Sequence, residues 1–126
     1  MKLFKVDTLD IRLDNGLNLL KIKTLKSHLD TVTTETVKDI FFEIQAKRIL
    51  LNFDSVETID GEALSVIKSE FGKTLKQTGA RKIAIVTKTD DLKSAFEHLQ
   101  QVYEVKKLKW NYFDNVESAE KWLREI

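Results

Sequence analysis

Leu9, Ile11 and Leu13 alternate with Asp10, Arg12 and Asp14. That period of two predicts a strand with one buried face. Phe4 and Val6 belong either to an earlier strand or to the same bent one. Asp14-Asn15-Gly16 reads as a turn, because Asn and Gly tolerate positive φ. Leu17 to Leu25 then reads as the return strand of a hairpin, with Leu20 and Ile22 set against Lys21 and Lys23. Val37, Ile40, Phe41 and Ile44 follow at i, i+3, i+4 and i+7, one apolar stripe of a helix. Thr33 is its expected N-cap, with Val32 stapled onto Val37 across the cap.

Arg48 to Phe53 is short and apolar, as a strand buried on both faces requires. Ala63, Leu64, Ile67, Phe71 and Leu75 repeat at helical spacing, and Gly79 stops that helix. Ile83-Ala84-Ile85-Val86, within Lys82 to Thr87, reads as a second buried strand, parallel to the first because a helix joins them. Leu92, Ala95, Phe96 and Leu99 mark a third helix. Leu108, Trp110 and Tyr112 alternate with polar residues, as in a half-exposed edge strand whose lysines discourage edge-to-edge pairing. Asp114-Asn115-Val116-Glu117 matches a capping box before a closing helix through Val116, Ala119, Trp122, Leu123 and Ile126. The order β-β-α-β-α-β-α-β-α predicts a layered α/β domain with a mixed sheet. No proline-rich, glycine-rich or low-complexity linker divides the 126 residues, so one domain over residues 1–126 is expected.

Composition narrows the function. The chain carries 21 Lys plus Arg and 20 Asp plus Glu, a formal charge of +1. Clustered basic residues, which counterion release at nucleic acid needs, are not apparent in the sequence; Lys106, Lys107 and Lys109 are explained by a solvated edge strand. The absence of cysteine excludes disulfides, thiolate metal sites and cysteine nucleophiles. His28 and His98 are far apart, and each reads as an ordinary polar or half-buried residue, His28 in a polar connection. No apolar run approaches the length of a membrane span, and no apolar signal core opens the chain. A cytoplasmic protein without cofactor or metal is expected.

Ligands of open α/β sheets favour the carboxyl ends of the strands. Two loops should meet there: Asp54 to Glu62, and Lys88-Thr89-Asp90-Asp91. Asp60 is expected to cap the second helix, with Glu62 supporting its positive end. A general acid/base pair assisted by Lys88 or Lys93 finds no nucleophile, metal ligand or partner histidine. A recognition surface is the other reading of the loop. Trp110, Tyr112 and Trp122 read as an aromatic patch near the C-terminal edge, either packed or open as a dimer contact or the mouth of an apolar pocket.

The segment from Arg48 to Val86 resembles the STAS domain, the fold of bacterial anti-sigma factor antagonists. The resemblance rests on Ile49-Leu50-Leu51-Asn52-Phe53, then Val56 to Leu64, then Gly79 and Ile83 to Val86. With the last strand and Ser118 to Leu123, the chain is similar to the SpoIIAA-like branch, related by fold to the lipid-binding SEC14 (CRAL-TRIO) domains. The resemblance implies a mixed, mostly parallel sheet of about five strands with about four helices. It implies no catalysis, and a protein partner bound through Asp60, Gly61, Glu62, Ser65, Lys88 and Thr89. In that family a Ser or Thr at the start of the second helix is phosphorylated. Here Glu62 stands at that position and carries one permanent charge against about 1.5–2 for a phosphate. Ser55, Thr58 and Ser65 are the nearby hydroxyls. The SEC14 likeness implies the alternative, a carrier of a lipid or small apolar molecule lined by Phe41, Phe42, Phe71 and Phe96. The edge strand also permits a homodimer.

Overall fold

The computed structural model describes residues 7–102 and 108–125. Phe4, Val6, Lys106, Lys107 and Ile126 lie outside the described residues. The strands are β1 (Leu9–Asp14), β2 (Leu19–Thr24), β3 (His28–Leu29), β4 (Arg48–Phe53), β5 (Thr58–Ile59), β6 (Lys82–Thr87) and β7 (Lys109–Phe113). The helices are α1 (Thr31–Ile44), α2 (Gly61–Val66), α3 (Gly72–Thr78), α4 (Asp90–Val102) and α5 (Val116–Arg124), and a π turn (Ile67–Phe71) joins α2 to α3. Backbone angles stay helical through both junctions, so α2, the π turn and α3 are one rod, and four helical bodies surround the sheet.

The main sheet has the order β1-β2-β4-β6-β7. β1 and β2 form the antiparallel hairpin, while β2, β4, β6 and β7 are mutually parallel. β7 is an edge strand, as its alternation predicts. Its outward Tyr112 N–H donates to Asn111 Oδ1 at 2.9 Å, which blunts the open edge. The short β3–β5 pair forms a second, parallel ribbon.

Period-two alternation sends alternate residues to two cores. Leu20, Ile22, Ile49, Leu51, Ile83, Ile85 and Trp110 face one side with residues of α1, the α2–α3 rod and α4. Leu19, Leu50, Ala84 and Val86 face the other, under Ala119 and Leu123 of α5. Ala63, Ile67, Phe71 and Leu75 all recur at i+4. In a regular α-helix each such step drifts about 40° around the axis. The wider π turn offsets that drift and keeps Ile67, Phe71 and Leu75 fully buried, which gives the bulge a packing reason.

Several local expectations are corrected. Asp30, not Thr33, caps α1: its Oδ1 accepts the Thr33 N–H at 2.7 Å. Val32 is 72% exposed, so it does not staple onto buried Val37. Asn115, not Asp114, caps α5, accepting from Ser118 N–H at 2.8 Å. The three aromatics do not form one patch. Trp110 packs with Phe96 on the three-helix side, whereas Trp122 packs with Phe113 across the sheet. Phe42 is 56% exposed and lines no interior space.

Candidate functional site

The chain leaves β2 at Thr24 and β4 at Phe53, and the two loops meet at the carboxyl end of the sheet. Ser55 Oγ donates to Thr24 O at 2.7 Å, and Thr24 Oγ1 donates to Asn52 O at 3.3 Å. The loops then pair as β3 and β5, with His28 beside Thr58 and Leu29 beside Ile59. Leu29 is buried in the core and Ile59 packs against it. That anchor holds the polar face of the ribbon outward.

His28 is therefore not in an irregular polar connection. Its Nδ1 lies 2.7 Å from Thr58 Oγ1, and its Nε2 lies 2.8 Å from Asp60 Oδ1. A neutral ring that donates from Nε2 to the carboxylate accepts the Thr58 hydroxyl proton at Nδ1. The sequence reading missed His28, because 32 residues separate it from Asp60. The available signal was apolar Leu29 inside a polar stretch, which fixes a strand register.

Asp60 occupies the N-cap position of α2 in extended conformation but makes no side-chain cap bond. This corrects the expectation of a capping carboxylate: the side chain is held by His28 instead. Its backbone carbonyl still accepts from Leu64 N–H at 3.0 Å. Gly61, Glu62 and Ser65 are exposed along one ridge of the helix. A Cβ added at Gly61 would meet nothing within 4 Å. Nearby Asp30 is held below the usual carboxylate range, first by the Thr33 backbone N–H and then by the Thr33 side chain.

Lys88 and Thr89 lie beyond the neighbouring strand β6. Thr87 Oγ1 receives the Thr89 N–H at 3.2 Å, and the two hydroxyls are also 3.2 Å apart. No hydrogen bond or ion pair among the described residues joins Lys88 or Thr89 to Asp60, Gly61 or Glu62. They share an end of the sheet, not a bonded cluster. Of the nearby hydroxyls, Ser55 is tied to Thr24 and Thr58 to His28, while Ser65 is exposed. Among the described residues, no group of three His, Asp or Glu side chains is placed to hold a metal ion. No helix among them is long and apolar enough to cross a membrane.

The core phenylalanines are in mutual contact. Phe41 and Phe71 meet edge to face with centroids 5.2 Å apart, and Phe71 lies 6.2 Å from Phe96. All three are fully buried. Their rings fill space that a carrier would line.

No family model matches the chain, and no curated protein matches it. The fold is similar to that of the anti-sigma factor antagonist SpoIIAA in its unphosphorylated form. The identity is 15% and the TM-score 0.66, over 94% of this chain and 99% of that one. It is also similar to a DUF3478-family protein with a SpoIIAA-like fold from Shewanella loihica PV-4. That identity is 13% and the TM-score 0.62, over 98% of this chain and 99% of that one. The chain has the α/β SpoIIAA-like fold, with the mixed, mostly parallel five-stranded sheet and four helical bodies that the sequence predicted.

Proposed function

We propose that residues 1–126 act as a single, non-catalytic regulatory module of the STAS type in the cytoplasm, one that binds a protein partner. The contact surface is the ridge of Gly61, Glu62 and Ser65, bordered by the His28–Asp60 pair, together with Lys88 and Thr89 at the same end of the sheet. The observation that carries this reading is the open helix ridge. Gly61 has free space where a side chain would stand, and Glu62 and Ser65 are exposed beside it, on a fold shared with an anti-sigma factor antagonist. Glu62 gives the ridge a fixed negative charge, so partner binding does not wait on phosphorylation at that position.

The test places a photo-crosslinking residue at Ser65 in the source cells and identifies the adduct. The captured protein is then titrated against the wild type and Glu62→Lys. A loss of at least tenfold in affinity, about 1.4 kcal/mol, is expected. Wild-type affinity in Glu62→Lys overturns the assignment. The carrier reading has less support, because Phe41, Phe71 and Phe96 pack against one another.

A further inference from the structure

The end of the sheet opposite the β3–β5 ribbon carries a row of cations. Arg48 opens β4, Lys82 opens β6 and Lys109 opens β7. The register sets Arg48 beside Lys82 and Lys82 beside Lys109. Neighbouring strands are about 4.8 Å apart, so these charges repel one another unless something offsets them. Lys47 and Arg81, each one residue before its strand, are exposed at the same rim.

An open pocket of about 270 Å³ lies there, lined by Asn18, Lys47, Arg48, Arg81, Lys82 and Glu125. Among the described residues, four cations and one carboxylate line it, in a chain whose total charge is only +1. The surplus is therefore local. None of the four cations takes part in an ion pair among the described residues. Arg48 Nη1 donates to Leu17 O. Lys82 Nζ donates to Trp122 O at 2.9 Å and Glu125 O at 2.6 Å, and sits 4.9 Å from the Trp122 ring centroid. These bonds orient Arg48 and Lys82 without neutralising them.

The backbone below the pocket is tied down. Lys47 N–H donates to Asn18 Oδ1 at 2.9 Å, and Arg81 N–H donates to Lys47 O at 2.8 Å. The backbone at Lys47 and Arg81 is thus fixed by the neighbouring chain, while their side chains stay exposed.

We propose that this pocket binds a compact, phosphate-bearing anion. Guanidinium forks match phosphate oxygens in pairs, and lysines add point charge. A volume just under the about 300–1,000 Å³ of ordinary ligand pockets suits a small anion. The site is independent of the partner ridge, which lies at the other end of the strands.

The test is calorimetric titration of the whole chain with pyrophosphate at low ionic strength. Saturable one-to-one binding is expected, weakened at least tenfold in Lys47→Gln/Arg81→Gln. The charge-matched variant Lys23→Gln/Lys26→Gln should bind as the wild type does. Failure to saturate, or equal weakening in both variants, overturns the proposal. Vesicles of phosphatidylcholine carrying a phosphorylated inositol lipid form a second arm. Displacement of pyrophosphate by them, lost in the first variant, assigns the phosphate to a lipid headgroup. Binding of pyrophosphate without such displacement assigns it to a soluble anion.

Discussion

His28 Nε2 lies 2.8 Å from Asp60 Oδ1, and this bond takes the carboxylate away from the helix it precedes. The pair is half exposed, at 50% and 45% of the side chains. Exposed ion pairs couple by only about 0.2–1 kcal/mol. A double-mutant cycle on His28→Ala and Asp60→Ala, read by urea unfolding, should give a coupling inside that range. If the bond instead orders the ridge rigidly, the coupling will exceed it.

Asp30 should matter more than Asp60 for stability, because it makes the cap bond that Asp60 does not. Asp30→Ala is expected to cost about 0.5–2 kcal/mol. The pH dependence follows from its lowered folded pKa. The unfolded chain takes up this proton first as pH falls, so the carboxylate's contribution is complete above the ordinary aspartate pKa. It is lost as pH drops through the lowered folded value. Asp30→Asn should keep the cap while removing this acid-dependent part, which unfolding curves across the acid range would reveal.

Gly61 and Gly79 should respond in opposite directions. Gly61 has open space around it and no left-handed backbone. Gly61→Ala is expected to stabilise by about 0.4–1 kcal/mol, mainly by restricting the unfolded chain. Gly79 has φ of 73° at the end of α3, where a Cβ costs about 1–2 kcal/mol. Thermal melting of the two variants, one raised and one lowered, checks the contrast.

Tyr112 is pushed up to about 12, first by burial and then by the Glu97 charge. Its hydroxyl has no hydrogen-bond partner among the described residues. Its ionisation should destabilise the fold as pH rises from about 10 towards about 12, because the unfolded phenol loses its proton first. In Tyr103→Phe, Tyr112 is the remaining tyrosine, and its phenolate absorbance should appear near the upper value. A midpoint near 10 would show an open environment.

The sequence legibly carried the main sheet because its strands have strong local signatures. Ile49-Leu50-Leu51 and Ile83-Ala84-Ile85-Val86 are apolar on both faces, and the hairpin alternates cleanly. The candidate site was half legible. Asp60, Gly61 and Glu62 could be found from the loop before a helix, but β3 and β5 are two residues each. Two residues give no period, and their pairing depends on Leu29 and Ile59 reaching the core.

By itself, the amino-acid order determined that this is an α/β chain with parallel central strands, because periodicity and strand–helix–strand spacing are local properties. Tertiary structure alone decided that Asp60 turns to His28. It also brought the Lys47-Arg48 pair and the Arg81-Lys82 pair, more than thirty residues apart in sequence, to one rim. Strand register sets such neighbours, and register is fixed by which apolar residues reach a common core.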